Sequence, residues 1–140
     1  MSLLLSVAET VVESGAVRAP LEYYQELANQ SPPWIAGPES DPVPSVKLYQ
    51  ICSPGVKRLT AALGLCLAGA RSDRGETVHI VLLLSAPDNA VPSSLSLLAQ
   101  AVRVLGPRSW REALLESRTP QDAWALLCRL ESQPAYSPRS

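Results

Sequence analysis

Apolar residues recur at helical spacing near both ends of the chain and at strand spacing in the middle. Over Ser2 to Ser14, the residues Leu4, Leu5, Ala8, Val11 and Val12 fall on one helical face, and Gly15 supplies the residue that ends the helix. Pro20 stands where a first-turn proline is tolerated, and Leu21 to Asn29 predicts a second helix with Tyr23, Tyr24 and Leu27 as its bulky residues.

From Ser31 to Ser45 the composition changes. Pro32, Pro33, Pro38, Pro42, Pro44 and Gly37 exclude a helix or a central strand. Trp34 and Ile35 in the middle of this stretch predict a loop pinned to the body, with a short edge strand as the alternative. Three strands are predicted next. Val46 to Cys52 alternates, with Val46, Leu48 and Gln50 on one face and Lys47, Tyr49 and Ile51 on the other, and Ser53-Pro54-Gly55 closes it as a turn. Leu59 to Ala68 is apolar throughout and is read as a buried strand in preference to a helix because of Gly64 and its flanking turns. Thr77 to Ser85 is the clearest strand, an unbroken apolar run of the kind that needs cover on both faces.

The remainder is helical. Ser93 to Leu105 carries Leu95, Leu98, Val102 and Leu105 at helical spacing, and Gly106-Pro107 stops it. Pro107 to Ser117 gives a short helix containing Trp110, Ala113 and Leu114. Thr119-Pro120-Gln121-Asp122 opens another, with Thr119 as N-cap, Pro120 at the first helical position and Asp122 placed for a return bond, and it runs to about Glu131. Residues 132–140 read as a flexible tail behind a single domain spanning 1–131. Helices, then strands, then helices imply a central sheet covered by helices on both faces, an α/β (α+β) architecture.

Composition narrows the function. The 140 residues suit one domain. Twelve basic and 13 acidic residues leave a net charge of −1, which gives no electrostatic footprint for nucleic acid or anionic lipid. No apolar run approaches the ~20 residues of a membrane span. The hydrophobic start, Met1 to Leu5, has no basic leader, so a cytoplasmic location is expected. Cys52, Cys66 and Cys128 are widely spaced and predict reduced, mostly buried thiols; with His79 as the one histidine, neither a metal nor a cofactor is expected.

Several segments carry a recognisable cadence. Ser85-Ala86-Pro87-Asp88 after a buried strand is followed by the Leu-rich helix Leu95 to Val102, then Ser109-Trp110-Arg111-Glu112-Ala113-Leu114-Leu115, then Thr119-Pro120-Gln121-Asp122-Ala123-Trp124-Ala125-Leu126-Leu127. Near the N-terminus, Val7 to Val17 and the run Val56-Lys57-Arg58-Leu59 with Ala62-Leu63-Gly64 fit the same pattern. In this order and spacing the chain resembles the enzyme IIA domain of the bacterial phosphotransferase system, of the fructose, mannitol and nitrogen-regulatory class. The resemblance implies a mixed sheet with helices on both sides. It also implies relay of a phosphoryl group from the carrier protein HPr through a histidine that follows a proline.

The acceptor position departs from that pattern. Aligning Pro54-Gly55-Val56 on the family's corresponding turn puts Tyr49-Gln50 where Pro-His belongs. A carboxamide nitrogen has its lone pair delocalised into the carbonyl and forms no phosphoramidate. The family's supporting histidine falls nearest Ser94, and its arginine at the end of the second helix falls in the stretch holding Gln25-Glu26. His79, early in a strand, reads as structural. Cys52 is a nucleophile type two residues beyond Gln50 on the same face, close in sequence to Lys57 and Arg58, although a packed thiol explains it as well. Tyr49 and Trp34 could line a pocket or pack in the core, and Ser93-Ser94 could meet a ligand or cap the following helix. The expectation is a IIA-like scaffold without a catalytic residue. It would serve as a regulatory or binding module for an unidentified protein or ligand around Tyr49, Gln50, Cys52, Ser53 and Ser94. The alternative is an active phosphocarrier using Cys52 or His79.

Overall fold

The computed structural model describes residues 3–29, 34–36, 45–71, 77–106, 108–117 and 119–131. The expected tail at 132–140 and most of the proline-rich stretch lie outside them. In chain order the elements are α1 (Leu3–Glu13), α2 (Pro20–Ala28), β1 (Trp34–Ala36), β2 (Val46–Cys52), β3 (Thr60–Arg71), β4 (Thr77–Ala86), α3 (Val91–Leu105), α4 (Arg108–Leu115) and α5 (Pro120–Glu131), with a short 3-10 turn at Asp88–Ala90 before α3.

The strands form one mixed sheet in the order β1-β2-β4-β3. β2 and β4 run parallel at its centre, from Val46 opposite Ile80 to Cys52 opposite Ala86. β3 returns antiparallel along β4, and β1 runs antiparallel to β2 with Trp34 opposite Leu48. β4 is buried at every position after Thr77, which is what the unbroken apolar run demands of a central strand. Its side chains divide between two cores. Val81 and Leu83, with Tyr49 and Ile51 of β2, pack beneath Val7, Ala8 and Val11 of α1 and Tyr23 and Leu27 of α2. Ile80, Leu82 and Leu84, with Val46 and Leu48, pack beneath Leu105 of α3, Leu114 and Leu115 of α4 and Ala123 of α5.

Two sequence expectations are corrected. The Trp34-Ile35 segment is not a pinned loop but the edge strand β1, whose three residues pair with β2. The buried strand expected over Leu59 to Ala68 is β3, Thr60–Arg71, but it lies on the other edge of the sheet and is only half-buried along most of its described length. Its apolar composition reflects cover by α1 on one face and by helices α3 to α5 on the other.

The helix ends follow local chemistry. Gly15 takes φ of +83° and its N–H donates to the Val12 carbonyl at 3.1 Å, closing α1 in a conformation that disfavours a β-carbon. The Thr119 hydroxyl accepts from the Asp122 N–H at 3.1 Å, the expected cap of α5. Buried Arg111 of α4 turns its guanidinium onto the carbonyls of Leu105 and Gly106, giving partners to the last carbonyl of α3 and to that of its C-cap.

Gly64 is the closest approach of β3 to α1. A β-carbon there would overlap Cγ2 of the buried, β-branched Val7 and would stand 3.0 Å from Cδ1 of Leu3. Gly64→Ala is therefore expected to destabilise the fold by about 1–3 kcal/mol. Denaturant unfolding checks this, and Val7→Ala in the same chain should recover part of the loss because the two sites share one space.

Candidate functional site

Open α/β sheets place ligands beyond the carboxyl ends of their parallel strands. Here those ends are Cys52 of β2 and Ala86 of β4. The turn that follows β2 is held firmly. The Ser53 N–H donates to the Ala86 carbonyl at 3.0 Å, and the Val56 N–H returns to the Ser53 carbonyl at 3.0 Å. Val17 bridges Val56 antiparallel, flanked by Arg18 N–H donating to the Gly55 carbonyl at 2.7 Å and Lys57 N–H to the Ala16 carbonyl at 2.7 Å. The stretch between α1 and α2 thus clamps the turn from outside.

Gln50 and Ser94 meet. Gln50 is half-buried near the end of β2, and its Nε2 donates to Oγ of Ser94 at 2.6 Å. Ser94 is fully buried in the first turn of α3. The expectation that Ser93-Ser94 caps this helix is corrected: α3 begins at Val91 with Ala90 as its N-cap and no side-chain cap, so the Ser94 hydroxyl is available to β2. Cys52, a free half-buried thiol, shares the face of Gln50. Cys66 is likewise half-buried and not buried as expected, because it sits on the edge strand.

Ser53 belongs to a second cluster at the same end. Its hydroxyl donates to Glu26 Oε1 at 2.9 Å and accepts the Gly55 N–H at 3.2 Å. Glu26, in the stretch where the resemblance calls for an arginine, thereby ties α2 to the turn. Arg58 is engaged with the chain that leads into the clamp, its Nη2 donating to the Ser14 carbonyl at 3.0 Å. Tyr49 does not join Gln50: alternation puts it on the opposite face, buried with α1 and α2. A further pair that sequence reasoning missed lies on that face, where the Tyr23 hydroxyl and Ser85 Oγ are 2.7 Å apart. No local signal links residues on α2 and β4.

His79 lies at the opposite end of the sheet, five positions before Leu84, the partner of Gln50, and so roughly 16 Å away along the strand. It is buried. Its Nδ1 accepts the Ser45 N–H at 3.2 Å, while the Ser45 hydroxyl donates to the Thr77 carbonyl at 2.6 Å. These bonds assign the ring proton to Nε2.

The arrangement offers neutral hydrogen-bonding groups at Gln50 and Ser94, one carboxylate at Glu26 and one thiol at Cys52. It can hold a partner by hydrogen bonds. The amide at Gln50 offers no nucleophile.

With this geometry in hand, the solved structures give a match. PtxA of Streptococcus mutans, a protein assigned to the PTS IIA class, is similar over 89% of this chain and 78% of its own, with a TM-score of 0.61 and 21% sequence identity. The chain therefore has the IIA-type α/β fold, a mixed sheet with helices on both faces. No protein-family model matches the sequence, and no curated protein is similar to it. Among the described residues, no helix is long and apolar enough to cross a membrane.

Two tests follow from the polar pairs. Ser94→Ala is expected to cost about 1 kcal/mol, since it removes the buried partner of Gln50 while leaving the amide access to solvent; urea unfolding at neutral pH reads it. Burial holds the Tyr23 phenol above its ordinary value of 10.0, against a smaller lowering by the Ser85 hydrogen bond. The folded state then binds this proton more tightly than the unfolded chain. The associated stability is complete below about pH 10 and is lost as pH rises through the folded value. Tyr23→Phe should flatten the fall in melting temperature above about pH 10.

Proposed function

We propose that this chain is a IIA-like binding module that has lost phosphoryl transfer. The observation that carries the reading is the Gln50–Ser94 contact at the carboxyl end of β2. The resemblance places a phosphohistidine and its supporting histidine at those two positions, and a neutral amide bonded to a buried hydroxyl occupies them. Glu26, in the stretch of the family's arginine, adds a carboxylate on the Ser53 hydroxyl, which disfavours a phosphate anion nearby. His79 faces the wrong end of the sheet to substitute.

On this reading the domain works in the cytoplasm by engaging a protein of the phosphotransferase or a regulatory system. With no acceptor to modify, it stays in one state and acts constitutively. The surface used is the one around Gln50, Cys52, Ser53 and Ser94; beside it, α2 and the turn after β2 are tied together by the Ser53–Glu26 bond.

One feature favours a second reading. Cys52 is a half-buried thiol on the Gln50 face at the strand end, and a cysteine thiolate is a competent phosphoryl acceptor. Incubation with phosphoenolpyruvate, enzyme I and HPr, followed by intact-mass measurement, separates the two. An unmodified chain is expected. A phosphoryl adduct would overturn the binding-module reading, and its loss in Cys52→Ser or in His79→Ala would identify the acceptor.

A further inference from the structure

Helix α3 does not seal the sheet face beneath it. An apolar cavity of about 120 Å³ lies there, floored by Ala61 of β3 with Leu82 and Leu84 of β4, walled by Leu97 and Ala101 of α3, and rimmed by Trp124 of α5. Leu84 is fully buried and Trp124 is 44% exposed, so the lining runs from the core to the surface. Folded cores ordinarily close a space of this size. Here Ala61 on the sheet and Ala101 on the helix each end at a β-carbon, where a leucine would extend into the space.

An open hollow of about 430 Å³ adjoins this cavity. Ser93, Ser96, Leu97 and Gln100 line the hollow from α3, and their spacing of three and four residues sets them on one helix face. Leu97 and Gln100 line both spaces, so the two meet there. Ser93, Ser96 and Gln100 are exposed and present hydroxyls and a carboxamide, groups that both donate and accept hydrogen bonds. Among the described residues, no charged side chain lines either space.

We propose that the two spaces together bind one small uncharged amphiphile. Its apolar part enters the cavity beneath Trp124, and its hydroxyl or amide head stays in the hollow on Ser93, Ser96 and Gln100. Apolar cavities of about 150 Å³ take one benzene ring, so this one accommodates a chain or ring of roughly five or six carbons. An apolar guest supplies the lining with dispersion contacts across the cavity. A charged head finds no counter-charge in the hollow and keeps its preference for bulk water. Gln50 and Ser94 are not among the residues used, so binding here is independent of the phosphotransfer question.

Titration of the full chain with n-hexanol, followed by amide chemical shifts, tests it. Saturable one-site binding is expected, with shifts centred on Ala61, Leu97, Ala101 and the Trp124 indole N–H. Hexanoate and hexylammonium should bind more weakly than hexanol. Ala101→Leu fills part of the cavity, so it should weaken hexanol binding about tenfold or more without lowering the melting temperature. Ser96→Ala combined with Gln100→Ala changes exposed side chains, so the fold is retained; hexanol should bind about fivefold more weakly, with benzene binding unchanged. Absence of saturable binding up to the solubility limit of hexanol would overturn the proposal. So would binding that both variants leave intact, shifts centred elsewhere, or equal affinity for the charged probes.

Discussion

The parallel pairing of β2 with β4 is the constraint on which the rest of the molecule depends. β4 is buried on both faces, so each side chain along it must find cover. From Ile80 onward the faces alternate: Val81 and Leu83 meet α1 and α2, and Ile80, Leu82 and Leu84 meet α3 to α5. The register fixes what β2 adds to each core: Leu48 beside Leu82 on one face, Tyr49 beside Leu83 on the other. A slip of one residue would turn Gln50 into the core beneath α2 and expose Tyr49 beneath α3. The pairing also carries both strand ends to the same side of the sheet, which is why Gln50, Cys52 and the Ser53 turn converge with the start of α3.

That convergence brings an amide, a thiol and a buried hydroxyl together at one end of the sheet. An amide and a hydroxyl satisfy each other and are neutral at every physiological pH. The surrounding clamp, with Val17 on Val56 and Ser53 on Ala86, holds the turn through backbone bonds that do not depend on which side chains occupy the strand end. The residues at the tip are therefore free to change while the frame stays constant.

The legible parts of the sequence were those whose pattern is local. α1 and α2 followed from helical spacing, with Pro20 at the first position of α2 and Gly15 ending α1; β2 followed from strict alternation, and β4 from an uninterrupted apolar run. The departures come from tertiary information. Three residues of β1 lie in sequence among prolines, and only the neighbouring β2 makes them a strand. β3 reads as buried because its residues are apolar, yet apolar composition does not distinguish a central strand from an edge roofed by helices. Ser94 looked like a cap because serine at a helix start commonly is one; its partner is 44 residues away in sequence. Gln50 stood out because a resemblance supplied an expected histidine, whereas the Tyr23–Ser85 and Ser53–Glu26 pairs had no such guide.

The order of the strands in the sheet also bears on how the chain reaches it. β3 and β4 are consecutive and antiparallel, so they can zip from their shared turn with little loss of loop entropy. β2 must wait: its partner is β4, and all of β3 lies between them in the chain. The parallel pair at the heart of the sheet is thus the longer-range closure and carries the larger loop-entropy cost. A β4 without β2 would leave one strand edge and apolar side chains uncovered, the kind of surface that favours association with other chains. Synthesis from the N-terminus sharpens this, because α3 to α5, which roof one face of β4, emerge last.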